Sequence, residues 1–307
     1  MPFHTDFRPQ TLEELTGNRS TVDSLQALLK KANRPRAYLF SGPAGCGKTT
    51  LARIMANSVG CADVDYKEQN AADFRGIDSV RDIIRKMRLR TLSGSGVRAW
   101  TLDEAHKLTG DAQNALLKAL EEPPSHVYFF LCTTDPQMLL KTIRSRCSEH
   151  EVGPLTQKQT VELLSKVCDS SGLTVPGEVL EMIVRVSQGH PREALTELER
   201  VGSLPEKQMA RAAKQTAQAE SQTIDLCRAL MKGAPWKTIS GILKGLEKED
   251  AEGVRRAILG YCSNVLLNGG SPQAYLVLDT FREPFYNTGR PGLVLACYEA
   301  VEAVKEG

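Results

Sequence analysis

Residues 42–49 read Gly42-Pro43-Ala44-Gly45-Cys46-Gly47-Lys48-Thr49, and Thr50 follows them. They match the pattern G-x-x-x-x-G-K-[ST] in full, between an apolar run at Ala37–Ser41 that predicts a strand and a helical pattern at 47–58. Such a loop turns its amide hydrogens toward phosphate oxygens, at the positive end of the following helix. A glycine-rich turn without a ligand is the alternative, and the complete pattern in this context disfavours it. We therefore predict that residues 42–50, Thr50 included, bind ATP, with Lys48 on the outer phosphates and Thr49 on Mg²⁺.

Beyond this loop the sequence alternates between strand and helix patterns. Apolar runs at 97–102 and 127–132 predict buried strands, and helical patterns cover 77–90 and 110–122. Alternation of this kind is typical of a parallel sheet wrapped by helices. After Gly153-Pro154 strand patterns become rare and helical patterns follow one another. We therefore predict an α/β nucleotide-binding domain over 1–154, a small all-α domain over 155–205 and an all-α C-terminal domain over 206–307.

Composition places the chain among ordinary globular proteins. It has 307 residues, 41% of them hydrophobic and 25% charged, and a net charge of +2. The longest apolar run, 127–132, is too short to span a bilayer, and Asp6 and Arg8 lie where a signal peptide needs apolar residues. We expect a protein of the cytoplasm, of the host cytoplasm if viral, or of the nucleus if eukaryotic, with no membrane partner.

The eight cysteines are scattered without a Cys-x-x-Cys pair, and the five histidines form no ligand-spaced cluster. Neither a disulfide framework nor a zinc site is predicted. Cys46 could indicate redox control of the loop, but a small side chain that fills a loop position is the favoured interpretation.

Two adjacent carboxylates follow the second predicted strand. Asp103 and Glu104 would lie at the carboxyl edge of the sheet, where open parallel sheets bind their ligands. We expect Asp103 to hold Mg²⁺, usually through water, and Glu104 to polarise the attacking water. A solvated acidic turn is the alternative. Residues 103–106 also spell DEAH, a motif of superfamily 2 helicases, but those proteins have a second sheet domain, whereas the chain after residue 155 has helical patterns.

The sequence resembles clamp-loader ATPases of the AAA+ class over nearly all of residues 6–200. Residues 102–124, LDEAHKLTGDAQNALLKALEEPP, and 131–136, LCTTDP, are similar to the bacterial gamma/tau subunit. Residues 70–81, NAADFRGIDSVR, resemble the small subunits of replication factor C. The tripeptide Ser145-Arg146-Cys147 is shared by both, and the segment from Phe7-Arg8-Pro9 to Leu15-Thr16-Gly17 resembles the N-terminal segment of the family. The chain departs from gamma/tau in lacking its four-cysteine zinc module, since only Cys61 lies in that region.

This resemblance implies a fold and a set of residue roles. The fold would be an α/β P-loop AAA+ domain with a parallel sheet, a small all-α lid domain and an all-α C-terminal collar domain for oligomerisation. Arg8, Pro9 and Gly17 would lie beside the adenine. Thr134 matches the sensor 1 position, for which Thr133 is a second candidate, and Arg192 matches sensor 2 in the lid. Arg146 matches the arginine finger presented to a neighbouring subunit, and a surface ion pair is the alternative for it.

A basic stripe on the predicted helix at 77–90 is a candidate DNA contact. From Arg75 to Arg90 there are six basic and two acidic residues, the latter being Asp78 and Asp82. Charge alone favours a solvated helix face with partial ion pairing. The resemblance favours contacts to the phosphates of duplex DNA, without base readout, from Arg75, Arg81 and Arg85.

These observations predict an ATPase subunit of a sliding-clamp loader. Its cofactors would be ATP and Mg²⁺, and its partners would be other clamp-loader subunits in a ring-like oligomer, a sliding clamp and primer-template DNA. Two alternatives stay open. One is another AAA+ DNA remodeller, such as a branch-migration motor or an initiator. The other is a nucleotide-binding scaffold subunit that does not hydrolyse ATP, which the intact Lys48, Asp103, Glu104 and Arg146 disfavour.

Overall fold

The structure, a computed structural model, describes residues 2–247 and 249–306, with side chains for all of these except 215–220 and 304–306. Contacts divide the chain into two compact units, Met1–Glu206 and Lys207–Gly307. Across the described residues, no helix has both the length and the apolar character needed to cross a bilayer.

A five-stranded parallel sheet forms the centre of the first unit. Its strands are β1 Ala37–Ser41, β2 Tyr66–Asn70, β3 Arg98–Asp103, β4 Val127–Thr133 and β5 Ser148–Glu151. They lie in the order β2-β3-β4-β1-β5. Ser41 pairs with Thr133 and Leu102 with Leu131, so β1, β3 and β4 end together. The predicted parallel α/β sheet is confirmed, and its carboxyl edge gathers the residues that follow these three strands.

Nine helices accompany this sheet in the described part of the first unit. They are α1 Phe3–Asp6, α2 Arg19–Leu29, α3 Lys48–Ser58, α4 Ile77–Lys86, α5 Gly110–Glu121, α6 Lys141–Arg144, α7 Gln157–Ser171, α8 Gly177–Ser187 and α9 Pro191–Gly202. Alternate residues of β1 enter separate cores, because side chains of a strand point to opposite faces. Phe40 packs in the core that contains Leu51 and Met55 of α3, whereas Leu39 packs in the core that contains Leu116 of α5.

Helix α4 ends earlier than the sequence pattern predicts. The prediction of a helix over 77–90 was wrong at its end, since α4 stops at Lys86. The buried guanidinium of Arg98 donates to the backbone carbonyls of Lys86 and Arg90, and it also pairs with the buried carboxylate of Asp65. These tertiary hydrogen bonds take backbone groups that a longer helix would use, so the chain turns after residue 86.

Helices α7 to α9 complete the first unit. The predicted capping box is confirmed, because Thr156 accepts the amide hydrogen of Gln159 and the Gln159 side chain accepts that of Thr156. The Leu155 amide donates to the Gly189 carbonyl and joins the start of this helical region to the turn before α9. The division between an α/β domain and a lid at 154/155 stays a prediction, as does the division at 205/206.

The second unit is helical throughout its described residues, as predicted. Its helices are α10 Glu206–Met231, which begins at the last residue of the first unit, α11 Trp236–Gly245, α12 Ala251–Gly269, α13 Pro272–Thr280 and α14 Gly289–Glu306. Phe281 and Ile258 are fully buried at its centre. Beside them, Glu252 pairs with Arg255 at 2.7 Å and accepts the Phe285 amide hydrogen. A buried charge pair with its remaining hydrogen bonds satisfied is tolerated in such a core.

Candidate active site

A pocket opens at the carboxyl edge of the sheet, where four segments of the first unit meet. These are the N-terminal segment, the loop between β1 and α3, the end of β3 and the helices after residue 155. Its lining includes His4, Phe7, Arg8, Pro9, Leu15, Thr16, Asn18, Ala44, Gly45, Cys46, Gly47, Lys48, Thr49, Thr50, Asp103, Glu104, Leu155, Leu163, Pro191, Arg192 and Leu195. The lining therefore combines charged groups with apolar side chains, which suits a nucleotide.

Gly42 begins the loop under a steric constraint. Its amide donates to the Thr133 carbonyl at 3.2 Å, which ties the loop to the end of β4. Its φ is 144°, and a Cβ added here would lie 2.1 Å from the Val152 carbonyl oxygen. Only glycine fits this position. Gly42 and Pro43 do not line the pocket themselves, and they act through their backbone.

Lys48 is the first residue of α3 and is almost wholly buried, with 6% of its surface exposed. Its ammonium donates to the carbonyls of Gly42 and Pro43, at 2.8 Å each. Burial lowers the pKa of this ammonium, while Asp103 and Glu104 are among the nearby groups that oppose the shift. The cation is thus held at the base of the loop and faces the pocket.

Thr49 and Asp103 come together from separate elements. The Thr49 hydroxyl donates to Asp103 Oδ2 at 2.8 Å, and Asp103 Oδ1 accepts the Glu104 amide hydrogen at 2.9 Å. A hydroxyl and a carboxylate side by side are oxygen ligands of the kind that Mg²⁺ prefers, and Mg²⁺ usually needs only one or two from the protein when phosphates supply others. The residues present therefore fit the predicted metal.

Glu104 has an unusual backbone. Its φ is 51°, one of three positive φ values among the described non-glycine residues. This left-handed conformation costs roughly 1–2 kcal/mol for an L-residue. The half-buried carboxylate lies 3.2 Å from Nε2 of His106, whose Nδ1 lies 3.0 Å from Thr133 Oγ1. No role for His106 was predicted from the sequence.

Thr134, the predicted sensor 1 residue, follows the last residue of β4 and is half-buried. Thr134 does not line the pocket. The residue before it, Thr133, pairs with Ser41 at the end of β1. The Thr133 hydroxyl also accepts the Asp135 amide hydrogen at 3.1 Å. The structure therefore places Thr134 at the same sheet edge as Lys48 and Asp103.

The N-terminal segment forms one wall of the pocket. His4, Phe7, Arg8 and Pro9 line it, and the Phe3 amide donates to the Glu199 carboxylate of α9 at 3.1 Å. Burial, followed by the positive charges of Arg53 and Arg192, lowers the pKa of the Arg8 guanidinium. Its buried Nε has no hydrogen-bond partner among the described residues. A negatively charged ligand would relieve this concentration of positive charge.

Gly17, which was also predicted to lie beside the adenine, is not among the residues that line the pocket. A Cβ at this residue would come within 2.4 Å of Leu155 Cδ2, so the glycine allows the N-terminal segment to pack closely against the start of the helical region. Its contribution to the pocket is therefore indirect.

The two predicted arginines of the ATPase machinery lie in different places. Arg192 lines the pocket, and its amide donates to the Gly45 carbonyl at 3.4 Å. Arg146 does not line this pocket. It is exposed, pairs with Glu121 at 2.6 Å and donates to the Thr142 carbonyl at 2.8 Å. Its position on the surface allows it to meet another molecule.

The predicted DNA contacts lie on and beside α4. Arg75 precedes the helix and donates to the Ala72 carbonyl. Arg81 pairs with Asp78 at 3.1 Å, with both side chains exposed, and Arg85 is exposed with no ion pair among the described residues. Exposed pairs contribute little to stability, so these cations are free to exchange partners.

Several pocket residues were not identified from the sequence. Leu155, Leu163, Pro191 and Leu195 supply the apolar wall, and His4 adds a buried Nδ1 without a hydrogen-bond partner in the described structure. The helical spacing of apolar residues in this region of the sequence predicts a helical core, and it does not predict a pocket wall. Their approach to the loop depends on how α7 and α9 fold back.

Two family models and several known proteins are similar in sequence to this chain. Residues 62–156 match the family model described as DNA polymerase III, delta subunit, and residues 2–91 match the Rad17 P-loop domain. The chain is 33% identical over 224 residues to DNA polymerase III subunit gamma/tau of Mycobacterium tuberculosis, covering 66% of this chain and 39% of that protein.

Two further relatives are of comparable similarity. DNA polymerase III subunit tau of Bacillus subtilis is 36% identical over 214 residues, covering 63% of this chain and 38% of that protein. Replication factor C small subunit of Methanoculleus marisnigri is 35% identical over 196 residues, covering 63% of this chain and 61% of that protein. The chain thus spans about two fifths of the bacterial relatives and three fifths of the archaeal one.

Solved structures support the fold. The Thermotoga maritima RuvB Holliday junction branch migration motor aligns with a TM-score of 0.61 at 20% identity, over 73% of this chain and 79% of that one. A variant of the same protein aligns with a TM-score of 0.64 at 19% identity, over 87% and 94%. At this identity the likeness concerns the fold alone. The sequence relatives and the two family models, together with the loop and the acidic strand end, show that this chain is similar to clamp-loader AAA+ P-loop proteins, among them subunits of DNA polymerase III and of replication factor C.

Proposed function

We propose that this chain is an ATP-hydrolysing subunit of a clamp loader, which uses ATP to open a sliding clamp and place it on primer-template DNA in the cytoplasm or nucleus of its source. One observation carries the catalytic part of the proposal. Thr49 and Asp103 meet at 2.8 Å beside the buried Lys48, and Glu104 follows Asp103 at the rim of the same pocket. The residues proposed for phosphate binding, metal binding and water activation therefore lie close together.

The residues divide the reaction among them. Amides of the loop and the Lys48 ammonium would bind the phosphates, with Lys48 exchanging its carbonyl partners for phosphate oxygens. Thr49 and Asp103 would hold Mg²⁺, which when bound supplies positive charge to the phosphate oxygens. Glu104 would take a proton from water as the water oxygen bonds to the γ-phosphorus and the bond to the ADP oxygen breaks. Thr134 would orient this water, and Arg192 would bind the γ-phosphate.

Two surfaces of the first unit would couple this reaction to partners. Arg146 would reach the nucleotide of an adjacent clamp-loader subunit, so that full turnover requires a ring-like oligomer. In GTPases, a finger of this kind raises the rate about 10³- to 10⁵-fold. Arg75, Arg81 and Arg85 would contact DNA phosphates.

The first test separates ATP binding from hydrolysis. Lys48→Ala should weaken ATP binding at least tenfold, because the phosphates lose their buried cation. Glu104→Gln should leave the ATP Kd within about threefold and reduce kcat about 10²-fold or more, because the amide cannot accept the proton. Equilibrium titration with ATP and a phosphate-release assay on the assembled complex measure the two effects. Equal turnover by the wild type and Glu104→Gln would refute the catalytic assignment.

The same assay distinguishes the family functions. For a clamp loader, primed DNA should stimulate phosphate release, and a sliding clamp should stimulate it further. Stimulation by DNA without any response to a clamp would favour another DNA remodeller. Tight ATP binding without hydrolysis in the complete assembly would favour a scaffold subunit.

A further inference from the structure

His106 connects the proposed general base to the end of the neighbouring strand. The residue lies in the short 3-10 turn after β3, with 7% of its surface exposed. Its Nε2 is 3.2 Å from Glu104 Oε2, and its Nδ1 is 3.0 Å from Thr133 Oγ1. Both ring nitrogens are therefore engaged, one on each side.

The chemistry of the groups favours one direction for this chain of contacts. An ionised carboxylate has only acceptor atoms, so the tautomer of His106 with its proton on Nε2 suits the 3.2 Å contact with Glu104. In the neutral ring Nδ1 then accepts, and the Thr133 hydroxyl is its donor. This agrees with the lone pair of Thr133 Oγ1 that accepts the Asp135 amide hydrogen. In this arrangement every donor faces an acceptor.

The left-handed backbone conformation of Glu104 indicates why these contacts matter. A residue held in the left-handed region persists only when its surroundings determine its conformation. The Glu104 amide donates to Asp103 Oδ1, and the Glu104 carboxylate lies 3.2 Å from His106 Nε2. Thr133, at the far end, pairs with Ser41 and accepts the Gly42 amide hydrogen through its carbonyl. These contacts connect the Glu104 carboxylate, through His106 and Thr133, to the end of β1, where the phosphate loop begins.

We propose that His106 is a positioning residue, which holds the Glu104 carboxylate in register with the end of β4 and with Thr134. The inference rests on the proposed ATPase function and adds a residue to it. A buried histidine that only fills space would need neither polar contact, whereas this imidazole lies between the two strand ends at which the attacking water would be placed.

Three variants separate positioning from packing. His106→Phe keeps a planar ring and removes both nitrogens, His106→Gln keeps one donor and one acceptor, and Thr133→Val keeps the side-chain shape and removes the hydroxyl. We expect His106→Phe to lower kcat for ATP about 10- to 100-fold, since a displacement of about 1 Å can cost 10²-fold. KM and the ATP Kd should stay within about threefold, and His106→Gln should recover part of kcat.

The double variant His106→Phe/Thr133→Val should be no slower than His106→Phe alone, because both changes break one chain. The inference is overturned if His106→Phe hydrolyses ATP at the wild-type rate, or if His106→Gln is as slow as His106→Phe. If His106→Phe does not fold, Thr133→Val decides, since it breaks the same chain from the other end and must then lower kcat. Failure of wild-type hydrolysis would instead count against the proposed function.

Discussion

At the scale of single residues, Thr49 and Asp103 are 54 positions apart and share one hydrogen bond. Both could be identified from sequence because each belongs to a short local pattern, a loop motif and the end of an apolar run. His106 could not, because its role depends on the distance to Thr133 on another strand. Periodicity and motif patterns report which residues are buried, and they do not report which buried polar groups meet.

Removing the Thr49 hydroxyl tests the metal assignment. We expect Thr49→Val to weaken ATP binding in the presence of Mg²⁺ by about tenfold, because the ion loses one of its two protein oxygens, a loss of about 1.4 kcal/mol. Binding of ATP in excess EDTA should be unchanged within about twofold. Calorimetric titration under both conditions measures this difference, and Thr49→Ser, which keeps the hydroxyl, serves as the control. An equal loss with and without Mg²⁺ would show that Thr49 acts on the nucleotide directly.

At the scale of elements, the central strands were predicted and the edge strands were not. β1, β3 and β4 are buried along nearly their whole length; β1 and β4 are nearly continuous apolar runs, and β3 contains the apolar residues Ala99, Trp100 and Leu102. β2 and β5 lie at the two edges of the sheet and read YKEQN and SEHE. An edge strand pairs on one side only and is partly solvated, so its sequence lacks the apolar run that identifies a central strand.

Helix α4 offers the test of DNA contact at this scale. Replacing Arg75, Arg81 and Arg85 together by alanine should weaken binding to duplex DNA for every sequence, because phosphate contacts read no bases. The slope of log K against log salt should become shallower by about 3, one for each lost contact. Fluorescence anisotropy at several salt concentrations measures the slope.

Arg185→Ala is the matched control for this triple variant, since Arg185 is an exposed arginine of α8. A slope that becomes shallower by about 1 in the control, the same change for each arginine as in the triple variant, would show a general charge effect and would argue against a specific DNA contact at α4.

At the scale of the whole molecule, each compact unit contains one of the two tryptophans. Trp100 lies in β3 of the first unit and Trp236 begins α11 of the second. A Trp100→Phe background therefore leaves a single fluorescent reporter for the all-α unit. A chain with two compact units need not unfold in one step, so a reporter for each is required.

This reporter allows a test of the buried Glu252. Hydrogen bonding to Arg255 lowers the pKa of Glu252 to about 2, although burial opposes the shift. The unfolded pKa is about 4.3. Because the folded pKa is the lower one, the contribution to stability is present above about pH 4.3 and is lost as the pH falls through about 2.

In the Trp100→Phe background, Glu252→Gln should therefore lower the denaturation midpoint at pH 7. This difference in midpoint between the parent and the variant should disappear between about pH 4.5 and 2. Urea unfolding followed by Trp236 fluorescence measures both midpoints. Glu299→Gln, an exposed glutamate of α14, is the control. A difference in midpoint that is constant over this range would mean that the charge of Glu252 does not stabilise the unit.

The burial of Cys46 has a consequence for oxidative stress. Burial raises the pKa of its thiol, so at neutral pH the sulfur remains protonated, and the protonated form is a poor nucleophile toward peroxides and alkylating reagents. The loop thus carries a sulfur atom among its glycines in the form that reacts slowly with oxidants, and we expect alkylating reagents to modify Cys46 more slowly than an exposed thiol.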